Sequence, residues 1–160
     1  MIQRIQSLYL ALASLAAIFI LIPFEKLPLV KFYGDTVTIH FHGLFIKNLV
    51  PGESDPFNTY FLWPFVFVVL IIFIISVSSI FLYKNHKNQL FLIKVSIFFT
   101  LVLLAGFFFY YVPTMEKVLA TLAIYQLISL LPALILFFLI LAYRGVKKDD
   151  NLIKSMDRIR

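Results

Sequence analysis

The chain has 160 residues, of which 62% are hydrophobic and only 14% are charged, a balance that lies outside the range of soluble globular proteins and leaves no room for a separate soluble domain. Its formal charge of +6 comes without a basic surface interleaved with aromatic residues, so we expect no nucleic-acid partner. The sequence contains no cysteine, which excludes disulfides, thiolate metal sites and thiol catalysis.

Four apolar stretches with almost no ionisable residues dominate the chain, at residues 8–22, 61–83, 91–112 and 118–143. About 20 residues of α-helix cross the roughly 30 Å of hydrocarbon in a bilayer, where a helix satisfies its own backbone hydrogen bonds. The first stretch lacks a small-x-small cleavage motif and is interpreted as an uncleaved span. The predicted fold class is an all-α membrane protein, one domain over residues 1–160 with four transmembrane helices at about 5–23, 61–83, 91–112 and 117–143.

Residues 24–60, between the first two predicted spans, are expected to form a small β-rich loop outside the membrane. His40 and His42 alternate with Ile39 and Phe41, which is the period of two typical of a half-buried strand. Further strands are predicted at residues 29–33 and 44–50. Because a lone hairpin is marginally stable in water, this sheet must pack on the helices or on a partner.

The charges distinguish the two sides of the predicted bundle. Ten Lys and Arg residues lie at one set of helix ends and four at the other, so the positive-inside bias places both termini and residues 84–90 in the cytoplasm. Residues 24–60 and a turn at 113–117 then face outward, and the short turn makes the third and fourth spans antiparallel neighbours. The larger set is Arg4, Lys84, Lys87, Lys94, Arg144, Lys147, Lys148, Lys154, Arg158 and Arg160; the smaller is Lys26, Lys31, Lys47 and Lys117.

The fourth predicted span contains the most polar stretch within the apolar segments. Pro132 is expected to kink the helix, because it cannot donate a hydrogen bond to the carbonyl of Ile128. Tyr125, Gln126 and Ser129 place polar groups on the turns before the kink. These four residues are candidates either for contacts between helices or for the lining of a small ligand cavity.

The two histidines of the outer loop, His40 and His42, are weak candidates for a metal site. Two residues apart on a strand, they point the same way, but a zinc site needs at least three protein ligands. Exposed polar-face histidines are the alternative interpretation. No ionisable residue lies near the middle of a span, and no nucleophile, base and acid are grouped, so we predict a non-enzymatic protein without a cofactor.

The tail at residues 144–160 has helical periodicity and is predicted to form a short amphipathic helix in the cytoplasm. Apolar residues at helical spacing alternate with basic ones, which suits either an anionic membrane surface or the acidic groove of a partner. The residues predicted to make this contact are Leu152, Lys154, Met156, Arg158, Ile159 and Arg160.

The two ends of the chain, MIQRIQSLYL at residues 1–10 and the stretches KDD and SMDRIR within residues 144–160, resemble the bacterial family called domain of unknown function 4293. The resemblance extends over the whole chain in length and number of spans, although the local identity is confined to the ends. It implies a small four-span inner-membrane protein of Bacteroidota-type bacteria. It carries over no activity and no site residue.

The leading functional hypothesis is an accessory or scaffold protein that lies in the lipid bilayer and binds another membrane or cytoplasmic protein. It depends on the lack of charge within the spans and on the detailed sequence of the two ends. The alternative is a small carrier, or a protein that binds a lipid or another hydrophobic ligand, with a pocket near Gln126 and Pro132.

Overall fold

The computed structural model describes residues 3–22, 27–33, 38–49, 57–83 and 85–157. The chain is mostly helical, as predicted. Its α-helices are α1 (Gln3–Leu21), α2 (Trp63–Phe81), α3 (His86–Ala105), α4 (Val112–Leu119) and α5 (Leu131–Asp157). A π-helical segment, Gly106–Tyr111, joins α3 to α4, and short 3-10 helices, Thr59–Leu62 and Leu127–Leu130, precede α2 and α5.

Three helical segments are long and apolar enough to cross a membrane: Tyr60–Phe81, His86–Leu119 and Leu127–Leu152. The apolar segment Ile5–Leu21 of α1 is shorter. The structure therefore fits a membrane protein, and the crossing by α1 stays a prediction.

The four long helices form a ring. Helix α1 contacts α2 and α5, and α3 contacts the same two helices from the other side. The predicted contact between the third and fourth spans is confirmed by the packing of α3 on α5. The buried side chains along the ring are mainly aliphatic or alanine, among them Leu10, Ala17, Ile72, Ile93 and Leu139.

The predicted turn at residues 113–117 and the predicted kink at Pro132 are both wrong. Helical structure continues from His86 to Leu119, with Pro113 in the first turn of α4. The chain leaves the helix only at Ala120, which has a φ of 52°. Helix α5 starts at Leu131, later than the predicted start of the fourth span. A proline fits the first turn of a helix because its missing N–H has no partner there, so Pro132 begins α5 without kinking it.

The small sheet has four antiparallel strands in the order β3-β2-β1-β4. Three match the predicted strands: β1 (Val30–Tyr33), β2 (Thr38–Phe41) and β3 (Ile46–Asn48). The fourth, β4 (Ala123–Tyr125), lies in sequence that was assigned to the last span. It pairs with β1 so that Val30 faces both Phe41 and Tyr125. The sheet therefore joins the α1–α2 connection to the connection before α5.

An aromatic cluster fixes the sheet on the helices. The Phe41 ring of β2 lies 5.6 Å from that of Phe65 in α2 and 6.0 Å from that of Phe107 in the π-helical segment, between ring centroids. Tyr111, one π turn after Phe107, packs edge-on against Phe65 at 5.5 Å. Nearby, Gly43 has a φ of +78°, and a β-carbon there would lie 2.7 Å from the carbonyl oxygen of Ile20. Only glycine lets this loop approach the end of α1 so closely.

Candidate functional site at the basic end of the bundle

We call the end of the bundle that carries the sheet the sheet end, and the opposite end, where α1 and α3 begin, the basic end. Each of the four long helices places a buried polar side chain near the basic end. The exposed fractions are 3% for Gln6, 0% for Ser79, 2% for Gln89 and 8% for Asp149. We call these four residues the polar layer. Buried polar groups are costly unless they are hydrogen-bonded, so their partners determine what the layer does.

The first and last helices are joined by a side-chain hydrogen bond within the polar layer. The Gln6 amide nitrogen, Nε2, donates to Oδ2 of Asp149. Gly145, one turn earlier on α5, makes room for this contact, because a β-carbon there would lie 2.8 Å from Cγ of Gln6. We call this arrangement the Gln6–Asp149 clamp. It brings together residues 143 positions apart in the sequence.

The other pair in the polar layer closes the turn between α2 and α3. Nε2 of Gln89 donates to the backbone carbonyl of Ser79 at 3.2 Å. That carbonyl belongs to the last turn of α2, where the helix itself supplies no donor. The side chain of Asn85 caps α3 by accepting from the N–H of Asn88 at 3.3 Å. Deeper in the bundle, the hydroxyls of Ser76 and Ser96 lie 3.3 Å apart across the same two helices.

The chemistry available to the polar layer is that of helix association. Asp149 is its single acidic side chain, and no group of three or more His, Asp or Glu side chains occurs in the described part of the chain. The two amides, of Gln6 and Gln89, each donate a hydrogen bond to a neighbouring helix. Small residues and polar bonds of this type hold membrane helices together.

Helix α5 continues well past the apolar part of the bundle. Residues 144–157, here called the α5 extension, add about 21 Å of helix at 1.5 Å per residue. The predicted helical structure of the tail is confirmed for residues 144–157, where it continues α5 without a break. The ammonium groups of Lys94 and Lys147 lie 6.0 and 5.8 Å from the centroid of the Tyr143 ring, as in cation–π contacts.

The structure places part of the predicted docking surface on the α5 extension. Leu152 is 47% exposed. The backbone of Lys154 and Met156 is helical, although their side chains lie outside the description. Arg158, Ile159 and Arg160 fall outside the described residues altogether.

The stretch from Tyr125 to Pro132, the candidate for helix contacts or a ligand cavity, forms the end of β4, a 3-10 turn and the start of α5. The backbone N–H and the hydroxyl of Ser129 donate to the carbonyl of Gln126, at 2.9 and 2.6 Å, and so close the turn before α5. Tyr125 is exposed in β4 and packs near Phe108. A cavity of about 410 Å³ lies elsewhere, against α2, and is lined by Leu62, Trp63, Phe67 and Leu70 among others.

The two candidate metal ligands lie close together in the sheet region. The rings of His40 and His42 are 6.0 Å apart, although His42 follows the end of β2. His42 is buried, whereas His40 is partly exposed, and burial together with the charges of Lys31 and Lys47 lowers the pKa of His40. The acids of the outer loop, Glu25, Asp35, Glu53 and Asp55, lie outside the described residues, so His40 and His42 stay weak candidates.

Sequence reasoning missed the Gln6–Asp149 clamp, although it had singled out both segments involved. Gln6 belongs to the opening segment and Asp149 to the closing segment that carry the family resemblance. A signal was present in Gln6, Gln89 and Gly145, which are polar or small residues close to the ends of apolar helices. Nothing in their local spacing indicated which helix each would face.

Comparison with known proteins identifies one family. The model of the family described as Domain of unknown function (DUF4293) matches residues 2–159. Neither the curated proteins nor the solved structures give a match.

The clamp leads to a prediction about stability. Asp149→Leu leaves the buried Gln6 amide without its acceptor, and we expect the free energy of unfolding to fall by about 1–3 kcal/mol. Gln6→Leu should cause a similar loss, whereas the double variant should lose less than the sum because no polar partner remains. Unfolding in detergent measures these energies, with Asn151→Leu as an exposed control on the same helix. Strict additivity of the two substitutions would contradict the clamp.

Proposed function

This chain belongs to the family described as a domain of unknown function (DUF4293), and we propose that it is a non-enzymatic accessory or scaffold protein that binds a membrane or membrane-proximal partner through the α5 extension. The observation that carries the proposal is the unbroken run of α5 from Leu131 to Asp157, which the clamp joins to α1 at Asp149. A helix that continues straight from the apolar bundle projects away from the bilayer. The α5 extension then presents a fixed surface outside the bilayer.

We further propose four membrane crossings in a bacterial inner membrane, of the Bacteroidota type, with both termini in the cytoplasm. Helix α1 has 19 residues, or about 28 Å, which is close to the hydrocarbon thickness. It packs against α2 and α5, which are long enough to cross. The excess of Lys and Arg at the basic end supports the orientation.

Cysteine accessibility tests this topology, because the natural chain contains no cysteine. Asp35, Asn88 and Asn151 are each replaced by cysteine in separate variants, and spheroplasts are treated with a membrane-impermeant thiol reagent. We expect labelling at position 35 alone, and labelling at all three positions once the membrane is permeabilised. Labelling of position 151 from outside would exclude the proposed orientation.

The exposed chemistry of the α5 extension indicates what partner fits it. Lys147 and Lys148 are exposed beside the apolar Leu152, while Val146 and Asp149 are buried against the bundle. The free face is therefore basic with an apolar centre. An acidic groove with a hydrophobic floor complements it, as in other complexes in which a helix binds in a groove. A flat anionic membrane surface fits less well. The extension continues the axis of a helix of the bundle, so it points away from the membrane surface instead of lying along it.

Site-specific photocrosslinking tests the docking proposal. A photoreactive residue at Leu152 should give a defined protein adduct in intact cells. Phe137 is the matched control, because it is exposed on the same helix within the predicted fourth span, at about 117–143, and should crosslink to lipid. The adduct from position 152 should disappear with Lys148→Glu. Identical products from positions 152 and 137 would contradict a partner at the α5 extension, whatever the outcome of the topology experiment.

A further inference from the structure

The cavity of about 410 Å³ against α2 opens away from the core of the bundle, because Trp63, Phe67 and Leu70 on its wall are themselves exposed. Its volume lies within the range of about 300–1,000 Å³ that is typical of sites for small, mostly apolar ligands. We call it the Leu44 cavity, after the lining residue that comes from the sheet region. Its described lining residues are Leu44, Leu62, Trp63, Val66, Phe67 and Leu70.

Leu44 turns this part of the surface of α2 into a cavity, because it comes from the loop between β2 and β3. The N–H of His42 donates to the carbonyl of Phe45 at 3.0 Å and so closes this loop. Gly43 seats the loop on the end of α1, where a β-carbon would lie 2.7 Å from the carbonyl oxygen of Ile20. The wall that Leu44 supplies is therefore held in place by backbone contacts.

Aromatic rings form another wall of the Leu44 cavity and indicate its depth in a membrane. The Trp63 ring lies 5.6 Å from the ring of Phe67 and 6.4 Å from that of Tyr60, between centroids. Tyr and Trp collect at the headgroup level of membranes, and Trp63 is the first residue of α2. From Trp63 to Leu70 the helix rises about 10 Å. The cavity therefore extends from the interface towards the hydrocarbon.

The lining selects an uncharged, apolar ligand. None of the described lining residues is ionisable, and their one polar side-chain group is the indole N–H of Trp63. The exposed apolar face of α2 continues beyond the cavity through Ile74 and Phe81, within a segment long and apolar enough to cross a membrane. The Leu44 cavity is thus continuous with a surface suited to hydrocarbon. Walls that meet no ligand lose dispersion contacts, so a chain of methylene groups stabilises them.

The volume of the cavity distinguishes a hydrocarbon chain from a protein partner. An α-helix with its side chains is about 10 Å in diameter, so 10 Å of its length fills about 800 Å³. This is about twice the volume of the Leu44 cavity. A single acyl chain is much thinner than a helix, and in a bilayer it runs from the interface into the hydrocarbon, as the cavity does.

We propose that the Leu44 cavity holds one acyl chain of a membrane phospholipid, with the headgroup at the level of Tyr60 and Trp63. The inference rests on the proposed membrane location, and it is independent of any partner at the α5 extension. The site differs in position from the hydrophobic-ligand site predicted near Gln126 and Pro132.

Quenching of tryptophan fluorescence tests the proposal, because Trp63 is the single tryptophan of the chain. The full chain in mild detergent is titrated with a phosphatidylcholine that carries bromine, a short-range quencher, on one acyl chain. We expect quenching to saturate at equimolar lipid and to be reversed by unbrominated phosphatidylcholine. A chain with Trp63→Phe and Tyr110→Trp is the control for bulk lipid, because Tyr110 is similarly exposed but is not among the lining residues. Its quenching should rise in proportion to the lipid.

Two substitutions alter the cavity and leave the tryptophan in place. Leu44→Ala removes a wall, and binding of the brominated lipid should weaken about tenfold. Val66→Phe fills the cavity and should abolish the saturable quenching. Leu49→Ala is the matched control and should bind normally, because Leu49 follows β3 and is 46% exposed, against 45% for Leu44. Thermal unfolding of each variant establishes that it is folded.

Several results would overturn the proposal. Quenching in proportion to the lipid at both tryptophan positions would show contact with bulk lipid only. Equal weakening by Leu44→Ala and Leu49→Ala would show that the sheet region as a whole, rather than the cavity wall, is responsible. Protection of Trp63 that disappears when the protein is diluted would place a second copy over the cavity. Each of these outcomes leaves the docking proposal to the crosslinking experiment, which does not involve the cavity.

Discussion

The hydrogen bond from Gln6 to Asp149 closes the ring of four helices. The α1–α2, α2–α3 and α3–α5 contacts join neighbours along the chain, whereas the α1–α5 contact joins its two ends. Separating an amide from a carboxylate among apolar helices costs free energy, because neither group finds water there to replace the lost hydrogen bond. Gly145 leaves room for the Gln6 side chain that makes the bond. The direction in which the α5 extension leaves the bundle follows from this closure.

The two ends of the bundle are held by different chemistry. At the basic end, the amide of Gln6 bonds to the side chain of Asp149, and the amide of Gln89 bonds to the backbone carbonyl of Ser79. At the sheet end, the rings of Phe41, Phe65 and Phe107 contact one another, and the sheet joins two connections that are distant in sequence. The proposed docking surface follows this division, because the α5 extension lies at the basic end.

The parts of the fold that depend on local sequence were predictable. Long apolar stretches and an alternating pattern are properties of short windows, and they indicated the apolar helices and the first three strands. The start of α5 was not predictable in this way, since Pro132 is compatible with a kink or with a helix start until the neighbouring chain is known. Strand β4 is three apolar residues that pair with a strand about 90 positions earlier. The clamp is equally non-local, which explains why the segments at both ends were recognised while their contact was not.

The central claim is that the clamp fixes the direction of the α5 extension, and a distance measurement between spin labels tests it most directly. Labels at Asn88, at the start of α3, and Asn151, on the α5 extension, report their separation in an otherwise cysteine-free chain. Pulsed electron paramagnetic resonance should give one narrow distance distribution for the labelled chain. The distribution should become broad once Gln6→Ala is added. A broad distribution with Gln6 in place, or one that Gln6→Ala leaves unchanged, would contradict the account.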